Sequence, residues 1–254
     1  MKKQMIVIVA SALGMLSAQA QIVYQAAGPT AASIQSAVDE YRVALGTNNN
    51  GNAAGPFASG RREINWDGGS TTNTTTTIAG NPSTVFLVTR GAQFTTPDGT
   101  GFVQATLKGL AELFNNESYS TIFGVFSPSR LFSAIGSRIT EVDFFVPGPR
   151  NAPATVTGFG AVFTDVDQPS GQKRHKASTR IDYYDVNNKL LYTSDVPASP
   201  GDGGFSFLGI VYADAPIAHV RITSGNVAPG ADDAGRQDVV MMDDFLYGEP
   251  QPLP

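Results

Sequence analysis

Short strand-like segments, separated by turn residues, constrain the fold of this chain more than any other feature. From Val85 onward, runs rich in Val, Ile, Phe, Tyr and Thr recur about every ten residues, with Gly, Pro, Asn or Asp between them. The candidate strands are 85–89, 92–95, 101–106, 121–127, 141–146, 155–164, 179–184, 190–194, 205–211, 218–223 and 239–247. Such recurrence is typical of an antiparallel sandwich or barrel. We predict an all-β fold, an antiparallel and jelly-roll-like β-sandwich that spans residues 61–248.

One α-helix is predicted before this domain. Its apolar residues recur at helical spacing and share one face, namely Ile34, Val38, Tyr41 and Leu45. Thr30 or Ser33 can cap its start, and Gly46 can end it. Residues 21–60 are therefore predicted to form an N-terminal helix and loop. The proline-rich tail 249–254 is predicted to be disordered, because proline cannot donate a backbone hydrogen bond.

Residues 1–20 have the pattern of a signal peptide. Lys2 and Lys3 precede a short apolar stretch, and Ala18-Gln19-Ala20 fits the small-x-small cleavage pattern. Cleavage after Ala20 would leave a mature chain that begins at Gln21. The apolar stretch is too short to span a bilayer comfortably, and no later run approaches the roughly 20 residues required. We expect a secreted, periplasmic or cell-surface protein without a transmembrane anchor.

Charge and cysteine content exclude several classes of function. The sequence holds 17 Lys and Arg against 22 Asp and Glu, and it has no Cys. The acidic balance argues against nucleic acid as a partner, because phosphates require a basic surface. The absence of Cys excludes a thiol nucleophile, a zinc–thiolate site and an iron–sulfur cluster. A secreted chain without disulfides must rely on its core or on a metal.

Two adjacent acids, Asp243 and Asp244, interrupt the apolar run of the last candidate strand. Because a strand alternates its faces, they should point in opposite directions, and one of them should face the core. A buried carboxylate is costly unless it is paired or binds a metal. We expect the other acid to be solvated or paired with Arg61 or Arg62.

Three groups of acids could supply the oxygen ligands of a calcium ion. Asp67 precedes a turn, Asp165 and Asp167 are spaced as Asp-x-Asp, and Asp243 and Asp244 are adjacent. Calcium takes six to eight oxygen ligands, and Asp-x-Asp on a strand places both carboxylates on one side. Because the first and last strands of a sandwich often lie close together, Asp67 could meet Asp243 or Asp244. The sequence predicts a structural calcium site among these acids; the alternative is that they solvate and cap turns.

Trp66 is the only Trp in the sequence, and it stands with Asn65 just before a turn. A lone aromatic side chain near a loop can stack on a sugar ring, which makes Trp66 and Asn65 candidate ligand-binding residues. The alternative is that Trp66, close to Ile64, fills the core or its rim.

The sequence contains no recognisable catalytic motif. Its two His are His175 and His219, and it has no G-x-S-x-G elbow, no H-E-x-x-H and no Walker loop. Glycoside hydrolysis requires only two carboxyl groups at a suitable separation, and any chain of this size offers such pairs. We therefore assign no catalytic residue.

Five stretches of the sequence resemble stretches of a known protein family. They are 61–68 (Arg-Arg-Glu-Ile-Asn-Trp-Asp-Gly), 91–97 (Gly-Ala-Gln-Phe-Thr-Thr-Pro), 157–167 (Thr-Gly-Phe-Gly-Ala-Val-Phe-Thr-Asp-Val-Asp), 205–209 (Phe-Ser-Phe-Leu-Gly) and 242–248 (Met-Asp-Asp-Phe-Leu-Tyr-Gly). Together they resemble a family of uncharacterised secreted bacterial proteins, some of which carry a PEP-type C-terminal sorting signal. This chain has Glu249-Pro250 at the matching place but no apolar helix or basic tail after it.

The late strands are more loosely similar to galactose-binding-like jelly rolls. In that fold an acid of the last strand often joins one near the first strand at a structural calcium site. The resemblance implies this role for Asp67 together with Asp243 or Asp244.

These observations lead to one predicted function and two alternatives. The prediction is an exported, non-catalytic carbohydrate-binding or surface-associated module that is stabilised by calcium and has a glycan as its partner. The first alternative is a secreted hydrolase or lyase that acts on polysaccharide. The second is a structural or matrix protein without a small ligand.

Overall fold

The structure is a computed structural model that describes residues 20–68, 75–167, 179–199, 201–233 and 236–253. The predicted signal peptide, apart from Ala20, lies outside the described residues, and so does His175. None of the helices in these ranges combines the length and the hydropathy that crossing a bilayer requires.

Antiparallel strands dominate the described part of the chain. The strands are β1 (Ile22–Gly28), β2 (Arg61–Ile64), β3 (Thr75–Ile78), β4 (Ala92–Thr95), β5 (Gly101–Ala105), β6 (Leu131–Ile135), β7 (Ile139–Phe144), β8 (Ala154–Thr155), β9 (Gly158–Thr164), β10 (Arg180–Tyr184), β11 (Leu190–Asp195), β12 (Phe205–Val211), β13 (His219–Thr223), β14 (Met241–Gly248) and β15 (Gln251–Pro252). The helices are α1 (Ala31–Leu45), α2 (Leu87–Arg90) and α3 (Leu107–Phe114), and a 3-10 turn spans Glu117–Ser120. The predicted all-β class is confirmed.

The strands form two main sheets. The larger sheet has the order β1-β12-β9-β14-β6-β5-β3, and β2 pairs with the second half of β14. The smaller sheet has the order β11-β10-β13-β7-β4, and β15 pairs separately with β8. These strand pairs are antiparallel throughout. Strand β14 therefore lies in the interior of the larger sheet, with β9 on one side and β6 and then β2 on the other.

One buried cluster contains side chains from both main sheets. Phe94 and Val220 come from the smaller sheet, and Phe159 and Phe245 come from the larger one. The ring centroids of Phe94 and Phe245 lie 6.1 Å apart, a distance typical of aromatic packing. The inner faces of the two sheets thus share one core.

Helix α1 packs on the outer side of the larger sheet, as its apolar face predicts. Its four predicted apolar residues are buried, and the helix ends before Gly46. The ring of Tyr41 lies over the paired glycines Gly160 and Gly209, where an added Cβ would come within 2.8 Å of the ring. Tyr41 Oη also donates to the backbone oxygen of Ile210 at 3.0 Å. Two glycines on neighbouring strands therefore make room for one aromatic ring of the helix.

Two predicted strands are wrong. Residues 87–90 form α2, because a short apolar run is equally compatible with a helix. Residues 121–127 form no strand, because the backbone N–H groups of Thr121 and Ile122 bind Ser118 O in the 3-10 turn, and later N–H groups bind side chains instead of a neighbouring strand. Gly124 N donates to Thr164 Oγ1 at 2.7 Å, and Phe126 N donates to Asp243 Oδ2 at 2.7 Å. The sequence also does not predict β3, β6 or α3.

The tail from Glu249, which the sequence predicts to be disordered, is ordered as far as Leu253. Glu249 is buried, and its carboxylate makes a bidentate ion pair with Arg62, with two N–O distances of 2.7 Å. Gln251 pairs with Thr155 in the β15–β8 ladder. The buried charge pair and this short ladder hold a proline-rich segment that has little helix or strand propensity of its own.

Candidate functional site

Strand β14 contains a β-bulge at its two acids. Met242 pairs with Phe163 and Phe245 pairs with Ala161, so β14 has one residue more than β9 between these two pairs. An extra residue of this kind breaks the alternation of faces. Asp243 and Asp244 are both buried, and both contact the hydroxyl of Ser127. The prediction that the two acids point in opposite directions was therefore wrong.

The carboxyl group of Asp243 is held by the backbone of the loop that follows the 3-10 turn. Its Oδ2 accepts from Phe126 N at 2.7 Å, and its Oδ1 lies 3.1 Å from Ser127 Oγ. Burial, and then the neighbouring charge of Asp244, raise the pKa of Asp243 well above its usual value. Burial also raises the pKa of Asp244. Such a pair releases its two protons in separate steps.

Arg42 of α1 is the cation beside Asp244. Its Nη2 lies 3.4 Å from Asp244 Oδ2 and 3.1 Å from Glu63 Oε2. Arg61 instead pairs with Glu63, and Arg62 with Glu249. The predicted pairing of one of the two acids with Arg61 or Arg62 was wrong, because a helix residue far away in sequence occupies that place.

Asp67 holds the same loop from its other end. Its Oδ1 accepts from Ser129 N at 2.6 Å and from Arg130 N at 3.0 Å. The segment 126–130, which we call the acid-held loop, is thus bound by Asp243 and Asp244 at its start and by Asp67 at its end. Loop N–H groups and the Ser127 hydroxyl thus bind oxygens of Asp67, Asp243 and Asp244, three of the acids among which a calcium site is predicted.

Asp165 and Asp167 lie at a different place, where the chain leaves β9. Asp167 Oδ1 accepts from Gly201 N at 2.9 Å. Asp165 is fully buried, and burial followed by contact with Asp233 raises the pKa of Asp165 to about 9. The five predicted metal ligands therefore do not share one site. In the described ranges, no group of three or more Asp, Glu or His is placed to hold a metal ion.

Trp66 belongs to the core. It is 1% exposed, its ring stacks on Phe132 with centroids 3.7 Å apart, and its Nε1 donates to the backbone oxygen of Asp243 at 2.8 Å. A ring packed in this way offers no free face to a sugar, so the stacking role proposed for Trp66 is corrected to a packing role. Asn65 is exposed, and its Oδ1 lies 3.4 Å from Asp67 N.

The outer face of the smaller sheet carries a cleft of about 470 Å³, which we call the sheet cleft. Its polar and aromatic lining is Glu141, Asp143, Tyr184, Asp185, Asn188, His219 and Arg221. Strands β7, β13 and β10 supply most of these side chains, and the turn after β10 supplies Asp185 and Asn188. None of these residues was predicted from the sequence as a site residue.

The register of the strands places these side chains in two rows. Gln93, Asp143, His219 and Tyr184 are cross-strand neighbours in one row, and Thr95, Glu141, Arg221 and Asp182 form the next row, two residues away. Positions two apart on a strand share a face, and neighbouring strands lie about 4.8 Å apart. Each row therefore crosses four strands over roughly 14 Å.

Ion pairs and one contact between two rings hold the side chains of the cleft in place. His219 Nδ1 lies 2.8 Å from Asp143 Oδ1, and Arg221 Nη1 donates to Glu141 Oε1 at 3.1 Å. The ring centroids of Tyr184 and His219 lie 5.5 Å apart. Burial, and then the charge of Asp182, raise the pKa of Tyr184, so its phenol stays a hydrogen-bond donor. Donors, acceptors and an aromatic ring thus stand side by side on a regular sheet.

One sequence signal could have indicated the sheet cleft. Polar residues alternate with buried apolar ones within β7, β10 and β13, as at Asp182 and Tyr184 on either side of the buried Tyr183. That alternation identifies the outer face of each strand but not which strands are neighbours, so it could not have shown that the polar faces meet.

Comparison with protein families, with curated proteins and with solved structures gives no match for this chain, so its function has to be argued from its own geometry.

Proposed function

We propose that this protein is an exported, non-catalytic β-sandwich module that binds a saccharide in the sheet cleft. The single observation that carries the proposal is the paired arrangement of Glu141–Arg221 and Asp143–His219 beside Tyr184. The signal-peptide pattern of residues 1–20 supports export. The buried cluster that joins the two sheets supports the sandwich architecture.

The chemistry of the lining favours a hydroxyl-rich ligand. Most small-molecule pockets are lined by apolar side chains with few polar groups, whereas this cleft has carboxylates, a guanidinium, an imidazole and an amide. Sugars carry donor and acceptor hydroxyls around a ring, which fixed acceptors such as Glu141 and fixed donors such as Arg221 can bind together. Tyr184 adds an aromatic surface with a polar tip, a combination suited to the apolar face of a sugar ring.

The fixed geometry favours binding over a purely structural role. Cross-strand ion pairs hold the side chains before a ligand arrives, so fewer rotamers have to be frozen on binding. A structural or matrix protein would not need a cleft of ordered polar side chains on this sheet face.

Affinity electrophoresis through gels that contain soluble polysaccharides tests the proposal. The panel includes neutral polymers (laminarin, xylan) and anionic polymers (alginate, polygalacturonate). We expect at least one polymer to retard the wild type, and Tyr184→Ala and Arg221→Ala to abolish the retardation. Lys108→Ala, on the exposed side of α3, is the matched control for loss of a cation. A wild type that none of the polymers retards would contradict the proposal.

A polysaccharide lyase or hydrolase is the second candidate, and one observation favours it. His219 Nδ1 is engaged by Asp143 at 2.8 Å, which leaves Nε2 available to exchange a proton in the same cleft. Incubation with a polymer that retards the protein separates the two functions. New reducing ends that disappear in His219→Ala identify an enzyme, and an unchanged polymer identifies a binding module.

A further inference from the structure

A second site lies where the chain leaves β9. Asp165 has a left-handed backbone with φ 68°, and its N–H donates to Gly204 O at 2.9 Å. Two residues later, Asp167 binds Gly201 N, and Asp167 N lies 3.4 Å from Asp238 Oδ1. Residues 165–167 and 201–204, together with Asp233, Asp238 and Val239, therefore lie close together.

The carboxyl group of Asp165 is buried without a hydrogen-bond donor. Its relative exposure is 0%, and neither Oδ1 nor Oδ2 has a donor among the described residues. The side chain that it contacts is another carboxyl group, that of Asp233. Asp233 Oδ1 itself accepts from Val239 N at 3.0 Å, which fixes its orientation. Two acceptor groups thus face each other inside the protein.

We propose that Asp165 and Asp233 together bind a divalent cation, Ca²⁺. A buried carboxylate without a donor is costly, and a cation between two carboxylates removes that cost. A proton shared between the two groups would satisfy only one of the two Asp165 oxygens, whereas a cation can contact both.

The ligand set selects among metals. The two side chains offer carboxylate oxygens, and the sequence has no Cys, so a hard, oxygen-binding ion is favoured over zinc. Irregular loops tolerate the variable coordination of calcium better than the strict octahedron of magnesium. The two carboxylates supply part of the six to eight oxygens that calcium takes, so backbone carbonyls and water would complete the coordination.

This site shares Asp165 with the acids among which the sequence predicts a calcium site, but it excludes Asp67, Asp243 and Asp244 and includes Asp233. It is also independent of saccharide binding, since the sheet cleft belongs to the other sheet. Failure of one proposal leaves the other intact.

Calcium titration monitored by thermal unfolding tests the site in the purified chain. We expect the Tm to rise by about 5–10 °C when calcium stands at 100 times its dissociation constant, and to rise less in magnesium. Asp165→Asn and Asp233→Asn should lose this rise. Asp98→Asn, at an exposed position, should keep it.

Two readouts separate a lost site from a damaged fold. In EDTA, Asp165→Asn should melt at or above the wild-type temperature, because its amide can donate to Asp233. Terbium luminescence, measured in the folded wild type and in each variant, reports binding directly. The absence of both a calcium-dependent shift and terbium binding in the wild type would overturn the proposal, and so would an unchanged shift in both variants.

Discussion

Ser127 Oγ lies 2.5 Å from Asp244 Oδ1. The same hydroxyl lies 3.1 Å from Asp243 Oδ1, so one serine joins two adjacent acids that a regular strand would hold on opposite faces. The bulge in β14 makes this contact possible, and the contact fixes the start of the acid-held loop. Asp243 and Asp244 therefore connect β14 to the acid-held loop.

Ser127→Ala should destabilise the protein. The change removes the hydroxyl that joins two buried carboxyl groups, which costs about 1–3 kcal/mol in the free energy of unfolding. Urea denaturation followed by circular dichroism measures it. Ser36→Ala, which removes an exposed hydroxyl contact to Glu40, is the matched control and should change stability by less than about 0.5 kcal/mol. Equal effects of the two variants would contradict the role assigned to Ser127.

The Asp243–Asp244 pair should make the protein less stable as the pH rises. The pKa of both groups is raised in the folded state, so the folded protein holds protons more tightly than the unfolded chain does. The stability they contribute is fully present below the unfolded pKa, near 4, and is lost as the pH rises through the folded pKa. Arg42 and Glu63 are the other charged groups at the pair.

Asp243→Asn should flatten this dependence, because its amide cannot titrate. The free energy of unfolding, measured from pH 4 to pH 8, should fall less steeply in the variant than in the wild type. Asp98→Asn should follow the wild-type curve. A variant curve parallel to that of the wild type would show that the pair does not titrate as the structure indicates.

Breaking the Arg62–Glu249 pair should lower the free energy of unfolding more than breaking an exposed ion pair. Both side chains are almost completely buried, and Glu249→Ala leaves a guanidinium in the interior without its carboxylate. We expect Glu249→Ala to lower the free energy of unfolding by about 3–5 kcal/mol. Glu112→Ala, which breaks the exposed Lys108–Glu112 pair, should cost less than about 1 kcal/mol. Chemical denaturation of both variants measures the difference; a small loss for Glu249→Ala would mean that the tail is not held by this pair.

Trp66→Ala should reduce stability and leave saccharide affinity unchanged in the folded fraction. The ring stacks on Phe132 inside the core, and its removal should cost about 3–5 kcal/mol. Urea denaturation and affinity electrophoresis on the same preparation give both quantities. Loss of binding with normal stability would restore the sugar-stacking role for Trp66.

Local periodicity in the sequence predicts some helices and strands of the fold. The others depend on pairing between segments that are far apart in sequence. The spacing of Ile34, Val38, Tyr41 and Leu45 predicts α1 and its buried face, and the run 205–211 predicts β12. The alternation argument fails at Asp243 because a bulge depends on the register with β9, which the sequence of β14 alone does not specify.

The sheet cleft could not be predicted for a related reason. Asp143, Tyr184 and His219 are far apart in sequence and become neighbours only through the order β10-β13-β7. Asp165 was identified as an acid of interest, but its contact Asp233 lies in a loop with no regular pattern.

Isothermal titration calorimetry of the wild type and Tyr184→Ala, with a polysaccharide that retards the protein, tests binding at the sheet cleft. We predict that Tyr184→Ala weakens binding at least about tenfold, which corresponds to about 1.4 kcal/mol, while Tyr184→Phe and Lys108→Ala bind within about threefold of the wild type. Equal affinities for the wild type and a folded Tyr184→Ala would contradict binding at the sheet cleft.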